Sequence, residues 1–243
     1  MQTALYAQRY GREFHLANVS LRYRGIDVGE FARHSSYEET AYLLWFGELP
    51  TQAQLENLNG RMVEHRELDW GVKQVISALP RTLEPMEALR TVVSVLPSSD
   101  PESNDYNYGA NIDKAIRLTA KFPTIVAYYQ RHLDDLDFVT PNPELSHAAN
   151  FLYMLHGQGP TPLEASTMDL ALVLMAEHGF NASTFAARVT ASTLSDMYST
   201  ITTAVGTLKG MSHECQCSGF IFTECVRFIK DFVRQVLVVN TWP

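Results

Sequence analysis

Cysteine is scarce in this chain and comes late: Cys215, Cys217 and Cys225 are the only three in 243 residues. They read as free thiols of a reducing compartment. Cys215-x-Cys217 beside His213 has part of a zinc-binding pattern, but no second pair stands at ligand spacing, so no metal site is expected. Long apolar runs are also missing. No uninterrupted stretch is long enough to span a bilayer. The N-terminus carries Arg9 and Arg12 without the apolar core of a signal peptide. A cytoplasmic protein is expected. Positive charge is in deficit: 19 Lys and Arg against 27 Asp and Glu leave a net charge of -8 at pH 7. With no basic cluster, that argues against a nucleic-acid surface. It does not exclude anionic substrates, because local fields decide those. Strand signals are few, Val19 to Tyr23 being the best short candidate, and there is no internal repeat or low-complexity tract.

What is present is helical. Ser36-Tyr37-Glu38-Glu39 has the Ser-x-x-Glu form of a capping box, followed by Ala41, Leu44 and Trp45 near a 3.6-residue period. Gly47 and Pro50 stop that helix. Thr51-Gln52-Ala53-Gln54 opens the next, with Leu55, Leu58 and Met62 on one stripe. A third fits Pro85 to Leu96, with Ala88, Leu89, Val92 and Leu96 inward. Pro97 to Asp113 is polar and turn-rich and reads as an exposed loop. Ala115 to Arg131 reads as a helix interrupted near Pro123. Leu145 to Leu155 follows, then a connector at His156-Gly157-Gln158-Gly159-Pro160 and an apolar helix from Pro162 to Ala176. One longer helix is expected from Ala182 to Leu208. Its small residues, among them Ala186, Ala187, Ala191, Ser195, Ala204 and Gly206, permit close helix approach. That suits a subunit interface or, equally, an Ala-rich core helix in a monomer.

The segment Ala176-Glu177-His178-Gly179-Phe180-Asn181-Ala182-Ser183 carries the clearest chemistry. It sets a histidine, a glycine and an asparagine directly ahead of a helix. Asn181 or Ser183 can cap that helix, and the remaining free N–H groups, at the positive end of the helix dipole, favour an anion. His178 adds a hydrogen bond or, when protonated, a full charge. Asn181 offers both a donor and an acceptor. A small carboxylate or keto acid fits these groups. The plainer reading makes Asn181 only a cap and His178 an ordinary polar residue at a helix end.

Several runs together resemble the bacterial citrate synthases, of the type shared with 2-methylcitrate synthases. They are Leu21 to Asp27, Ala32 to Glu39, Ala41 to Pro50, Met86 to Thr91, Leu145 to Leu155 and Met168 to Gly210. The resemblance covers most of positions 20 to 210, in order. It implies an all-α fold with the helical bundle of the citrate synthase large domain, and a homodimer packed through the 182–208 helix. It implies condensation of acetyl-CoA with oxaloacetate to give citrate and CoA in the tricarboxylic acid cycle, with acetyl-CoA as a substrate and no cofactor or metal. By that resemblance His178 holds oxaloacetate, Asn181 helps line the pocket, and His213 falls at the position of the donor to the enol oxygen.

The likeness stops at His213. The family continues with Gly-Gly-Ala-Asn, but this chain has Glu214, Cys215, Gln216 and Cys217. The family's second histidine, its aspartate base and its arginines find no counterpart. Three segments follow from this: a poorly matched 1–20, a partial large domain at 21–210, and a divergent tail at 211–243, read as an out-of-frame product. The small domain is expected to be missing. Phe222, Val226, Ile229, Val233 and Val236 give that tail an apolar helical stripe. Negligible turnover is expected of the isolated chain. The alternatives are a non-catalytic dimerising fragment or a 2-methylcitrate synthase using propionyl-CoA.

Overall fold

A computed structural model describes residues 21–177 and 182–209. A two-residue antiparallel hairpin comes first, β1 (Arg22–Tyr23) and β2 (Ile26–Asp27), turned through Arg24 and Gly25 at positive φ. Ten α-helices follow among the described residues: α1 (Val28–His34), α2 (Tyr37–Phe46), α3 (Gln52–Glu64), α4 (Trp70–Ala78), α5 (Pro85–Val95), α6 (Tyr108–Leu133), α7 (His147–His156), α8 (Pro162–Met175), α9 (Ala182–Ser192) and α10 (Met197–Leu208). The all-α expectation holds. No helix among the described residues is long and apolar enough to cross a membrane.

The expected start signals work as capping predicts. Ser36 and Glu39 close a reciprocal capping box on α2, and Thr51 and Gln54 do so on α3. Gly47 and Gly157 end α2 and α7 in the left-handed conformation that glycine adopts without steric cost. The core runs through α2 and α6. From Tyr37 to Trp45 every residue of α2 except the intermediate Glu39 is buried, the mark of an interior helix. α6 packs on α3, α4, α5 and α7.

Carboxylates lock the helices to one another. Asp169 on α8 accepts a hydrogen bond from the first amide of α2, Tyr37 N, at 3.1 Å. Glu38 on α2 accepts one from the first amide of α7, His147 N, at 2.9 Å. Each anion thus meets the positive end of a neighbouring helix and satisfies an amide that the helix itself leaves open. Arg66, also buried, donates to Asn142 O at 3.0 Å and Leu145 O at 2.8 Å and so holds the approach to α7.

Four expectations need correction. α6 is one continuous helix with Pro123 inside it, not an interrupted one. An interior proline costs ~3 kcal/mol; the wholly buried Ile116, Leu118, Phe122 and Ile125 around it outweigh that. The loop expected from Pro97 to Asp113 is shorter, because Leu96–Ser99 is a 3₁₀ turn and α6 begins at Tyr108. What remains is pinned: the fully buried Lys114 donates to Ser103 O and Asp105 O, and Arg117 bridges Asp100 and Glu102 at 3.2 and 2.9 Å. α4 was not anticipated. Finally, the single 182–208 helix is two. α9 stops in a tight turn through Thr193 and Leu194, the latter at φ 60°, and Asp196 caps a new helix by accepting from Ser199 N at 3.0 Å. Asp196 ahead of Met197 was the missed start signal.

Candidate functional site

The junction between α8 and α9 is framed from three sides. On the first, Tyr23 of β1 reaches the end of α8. Its hydroxyl donates to Val173 O at 2.8 Å, lies 3.1 Å from Leu174 O, and accepts from Glu177 N at 3.2 Å. Tyr23 is wholly buried, and Phe31 of α1 meets its ring edge-on with centroids 6.3 Å apart. The hairpin and α1 therefore fix where the chain leaves α8. On the second side, Ser183, Thr184 and Ala187 of α9 are wholly buried, so α9 is anchored from its first turn. On the third, α10 packs on both α9 and α5. A helix pair joined by so short a turn runs back on itself, returning the end of α10 towards the start of α9. There Lys209 pairs with Glu87 of α5. A Cβ added at Gly206 would lie 3.5 Å from Arg90 Cδ, so α10 and α5 are in close contact at this end.

The residues singled out by the sequence, His178, Asn181 and His213, lie outside the described residues, as do the three cysteines. Their described neighbours are Glu177, Ala182 and Lys209. The frame is thus built on rigid elements: a buried tyrosine ahead of His178, a buried helix start after Asn181, and a charge-paired helix end before His213. Tyr23 escaped the sequence reading because nothing local links it to Val173, 150 residues away.

Two other features lie apart from this frame. A cavity of about 290 Å³ between α2, α3 and α6 is lined by Tyr42, Phe46, Leu58, Arg61 and Ile116 among others, and Arg61 is already paired with Asp113. The second is the polar knot of Tyr37, Glu38, Arg66, His147 and Asp169. His147 stacks on Tyr37 at a centroid distance of 4.9 Å. Burial, helped by the Arg66 guanidinium, pulls His147 down to about 3, so it is neutral. Burial, then the charge of Glu38, pushes Asp169 up to about 6. These groups serve helix docking. Among the described residues no group of three His, Cys, Asp or Glu side chains is placed to hold a metal.

Comparison with known proteins bears on the same frame. Residues 12–227 match the family model for the citrate synthase C-terminal domain, a span that begins before Leu21 and ends after Gly210. The chain is 47% identical over 227 residues to the citrate synthase of Haloferax volcanii, covering 91% of this chain and 58% of that protein. It is 44% identical over 194 residues to the 2-methylcitrate synthase of Mycobacterium tuberculosis, covering 80% of this chain and 49% of that one. Its fold matches the ternary complex of Thermoplasma acidophilum citrate synthase with carboxymethyl coenzyme A and oxaloacetate. There the TM-score is 0.76 at 32% identity, over 80% of this chain and 51% of that one. The chain spans about half the length of the curated relatives it matches. It belongs to the citrate synthase family.

Proposed function

We propose that this chain supplies the oxaloacetate-holding half of a citrate synthase reaction. In that reaction acetyl-CoA condenses with oxaloacetate, and thioester hydrolysis releases citrate and CoA. The observation that carries the reading is the frame on either side of residues 178–181: Glu177 held by Tyr23 and α9 buried from Ser183 onward. A dicarboxylate needs donors that do not have to reorganise when it arrives. His178 contributes a hydrogen bond and, protonated, a charge; Asn181 adds a donor; the N-terminal end of α9 adds the partial positive charge of the helix dipole. The solved Thermoplasma acidophilum relative, a complex with oxaloacetate, supports the ligand.

His213 takes the position of the donor to the enol oxygen. Removing the acetyl proton also needs a carboxylate base, and this sequence offers no recognised counterpart. Loss of a general base costs roughly 10²–10⁴-fold, and loss of further carboxylate and CoA contacts adds to that. The chain by itself is therefore expected to turn over negligibly. A thiol-release assay with acetyl-CoA and oxaloacetate checks this; a rate near that of the Haloferax enzyme overturns it. The setting is the tricarboxylic acid cycle in the cytoplasm, with no resident cofactor or metal.

The family pairing is a homodimer, and α9 and α10 are the surface for it. Phe185 and Val189, one turn apart on α9, are 68% and 51% exposed, an apolar strip suited to a second copy. Size-exclusion chromatography with light scattering gives the mass; a monomer at every concentration argues against it. The similarity to a 2-methylcitrate synthase favours propionyl-CoA as a second acyl substrate, and the same assay with propionyl-CoA compares the two.

A further inference from the structure

The polar knot of Tyr37, Glu38, Arg66, His147 and Asp169 is not fully bonded by its own side chains. Three of its atoms have no hydrogen-bond partner among the described residues: Tyr37 Oη, Arg66 Nε and His147 Nε2. Their residues are 0%, 3% and 1% exposed, so bulk solvent does not serve them. They come from α2, from the connection between α3 and α4, and from the first residue of α7, yet they share one locus. The Tyr37 and His147 rings stack with centroids 4.9 Å apart and planes at 23°. Arg66 Nη1 donates to Leu145 O at 2.8 Å, two residues before His147, and its charge bears on the imidazole. Buried polar groups left unpaired are costly, and native folds seldom leave several together.

The surrounding groups select what can satisfy them. The Arg66 guanidinium disfavours a cation, and the carboxylates of Glu38 and Asp169 disfavour an anion. An apolar guest leaves all three atoms unpaired. What fits is a small neutral molecule that both donates and accepts, which is water. We propose that the knot binds one buried water molecule, which accepts from Arg66 Nε and Tyr37 Oη and donates to His147 Nε2. The hydrogen-bond count closes. Arg66 Nε can only donate, a phenol can donate, and a neutral imidazole has one accepting nitrogen. Three partners are within the roughly 2–4 that a buried water makes. The site also sets the tautomer of His147: the proton lies on Nδ1 and the lone pair on Nε2. Burial keeps the ring neutral, as that arrangement requires. The water ties α2, α7 and the α3–α4 connection into one bonded unit beside the carboxylate caps. None of this depends on residues 178–181.

The test is nuclear magnetic resonance on the intact chain at neutral pH. Nitrogen-15 correlation through the imidazole carbons should show His147 protonated at Nδ1, and a water-selective Overhauser experiment should show a cross-peak from water to its Hε1 proton. Protonation at Nε2, or no cross-peak, overturns the proposal. Tyr37→Phe keeps the ring stack and removes the hydroxyl, leaving the water on Arg66 and His147. The cross-peak should persist there; its disappearance assigns it to the phenol proton and overturns the proposal. Oxygen-17 relaxation dispersion then counts long-lived internal waters. The count should fall by one in His147→Phe, which removes the acceptor and fills its space. It should not change in Tyr129→Phe, whose hydroxyl donates to Leu83 O at 2.6 Å elsewhere in the fold. An equal count in His147→Phe and the unsubstituted chain overturns the proposal. If a variant does not fold, the tautomer and the cross-peak of the unsubstituted chain still decide.

Discussion

The α2–α7–α8 junction and the α9–α10 hairpin are held by different physics. In the first, carboxylates of one helix, Glu38 buried and Asp169 half-buried, cap the amides of another, and a neutral histidine is stacked on a tyrosine beside them. In the second, small residues allow close approach, and polar ties sit at the ends: Tyr198 to Asp100, Lys209 to Glu87. Charges taken out of water must find one defined partner, so the first region has a single docked arrangement. The second presents Phe185, Val189 and Leu194 outward and keeps its freedom to meet another surface. The junction orients α8, and the hairpin takes up the chain again at Ala182.

The largest contrast should come from deleting an aromatic in each region. Phe151→Ala on α7 removes a side chain 1% exposed and should cost about 3–5 kcal/mol in urea unfolding. Phe185→Ala on α9 should change monomer stability by no more than about 0.5 kcal/mol. If it costs as much as Phe151→Ala, the outer face of α9 is already covered and the contrast fails. Next, Tyr198→Phe strands the buried Asp100 carboxylate with one partner fewer and should cost about 1–3 kcal/mol.

The polar junction should also show its own pH dependence. His147 accepts its proton near pH 3 when folded, against an ordinary value of 6.5. Its contribution is present above 6.5 and is lost as pH falls towards 3. Asp169 takes up its proton near pH 6 when folded, against 3.8 ordinarily. Its contribution has the opposite sign, since protonation below pH 6 relieves the cost of burying the charge. Between about pH 6 and 4 the two slopes oppose each other. Asp169→Asn keeps an acceptor for Tyr37 N and removes the compensating slope. Its stability should fall by up to about 1.4 kcal/mol per pH unit more steeply than that of the unsubstituted chain. Parallel urea midpoints at pH 7, 6 and 5 in the two proteins would show that the pair is not coupled to folding. The smallest effect belongs to the hairpin turn. Leu194→Gly relieves a left-handed leucine that is 79% exposed and should stabilise by up to about 1 kcal/mol. A loss in thermal melting means that the leucine packs against something.

Local signals in the sequence were enough for what is local. Ser36 with Glu39, Gly47, and the proline opening α5 mark helix ends by chemistry within one turn, and the folded chain uses all three. Pro123 misled because the packing that tolerates it comes from α3, α4 and α5, which periodicity does not show. The α9–α10 break was hidden by a run of small residues that fits the helix on both sides. Buried Glu38, Arg66, Lys114 and His147 gave no sign of burial, since each is satisfied or stacked by a partner distant in sequence or by a loop carbonyl. His178 and Asn181 stand out in the sequence because a histidine, a glycine and an asparagine ahead of a helix form a local pattern, and both lie outside the described residues. The Tyr23 hydroxyl at the end of α8 gave no such signal, its partner Val173 being 150 residues away.

The most direct test is thermal melting of the intact chain with oxaloacetate and, separately, with CoA. A ligand that binds only the folded state raises the melting temperature in proportion to its occupancy. The proposed function predicts that oxaloacetate raises it and that CoA leaves it unchanged. A shift with CoA and none with oxaloacetate contradicts that assignment.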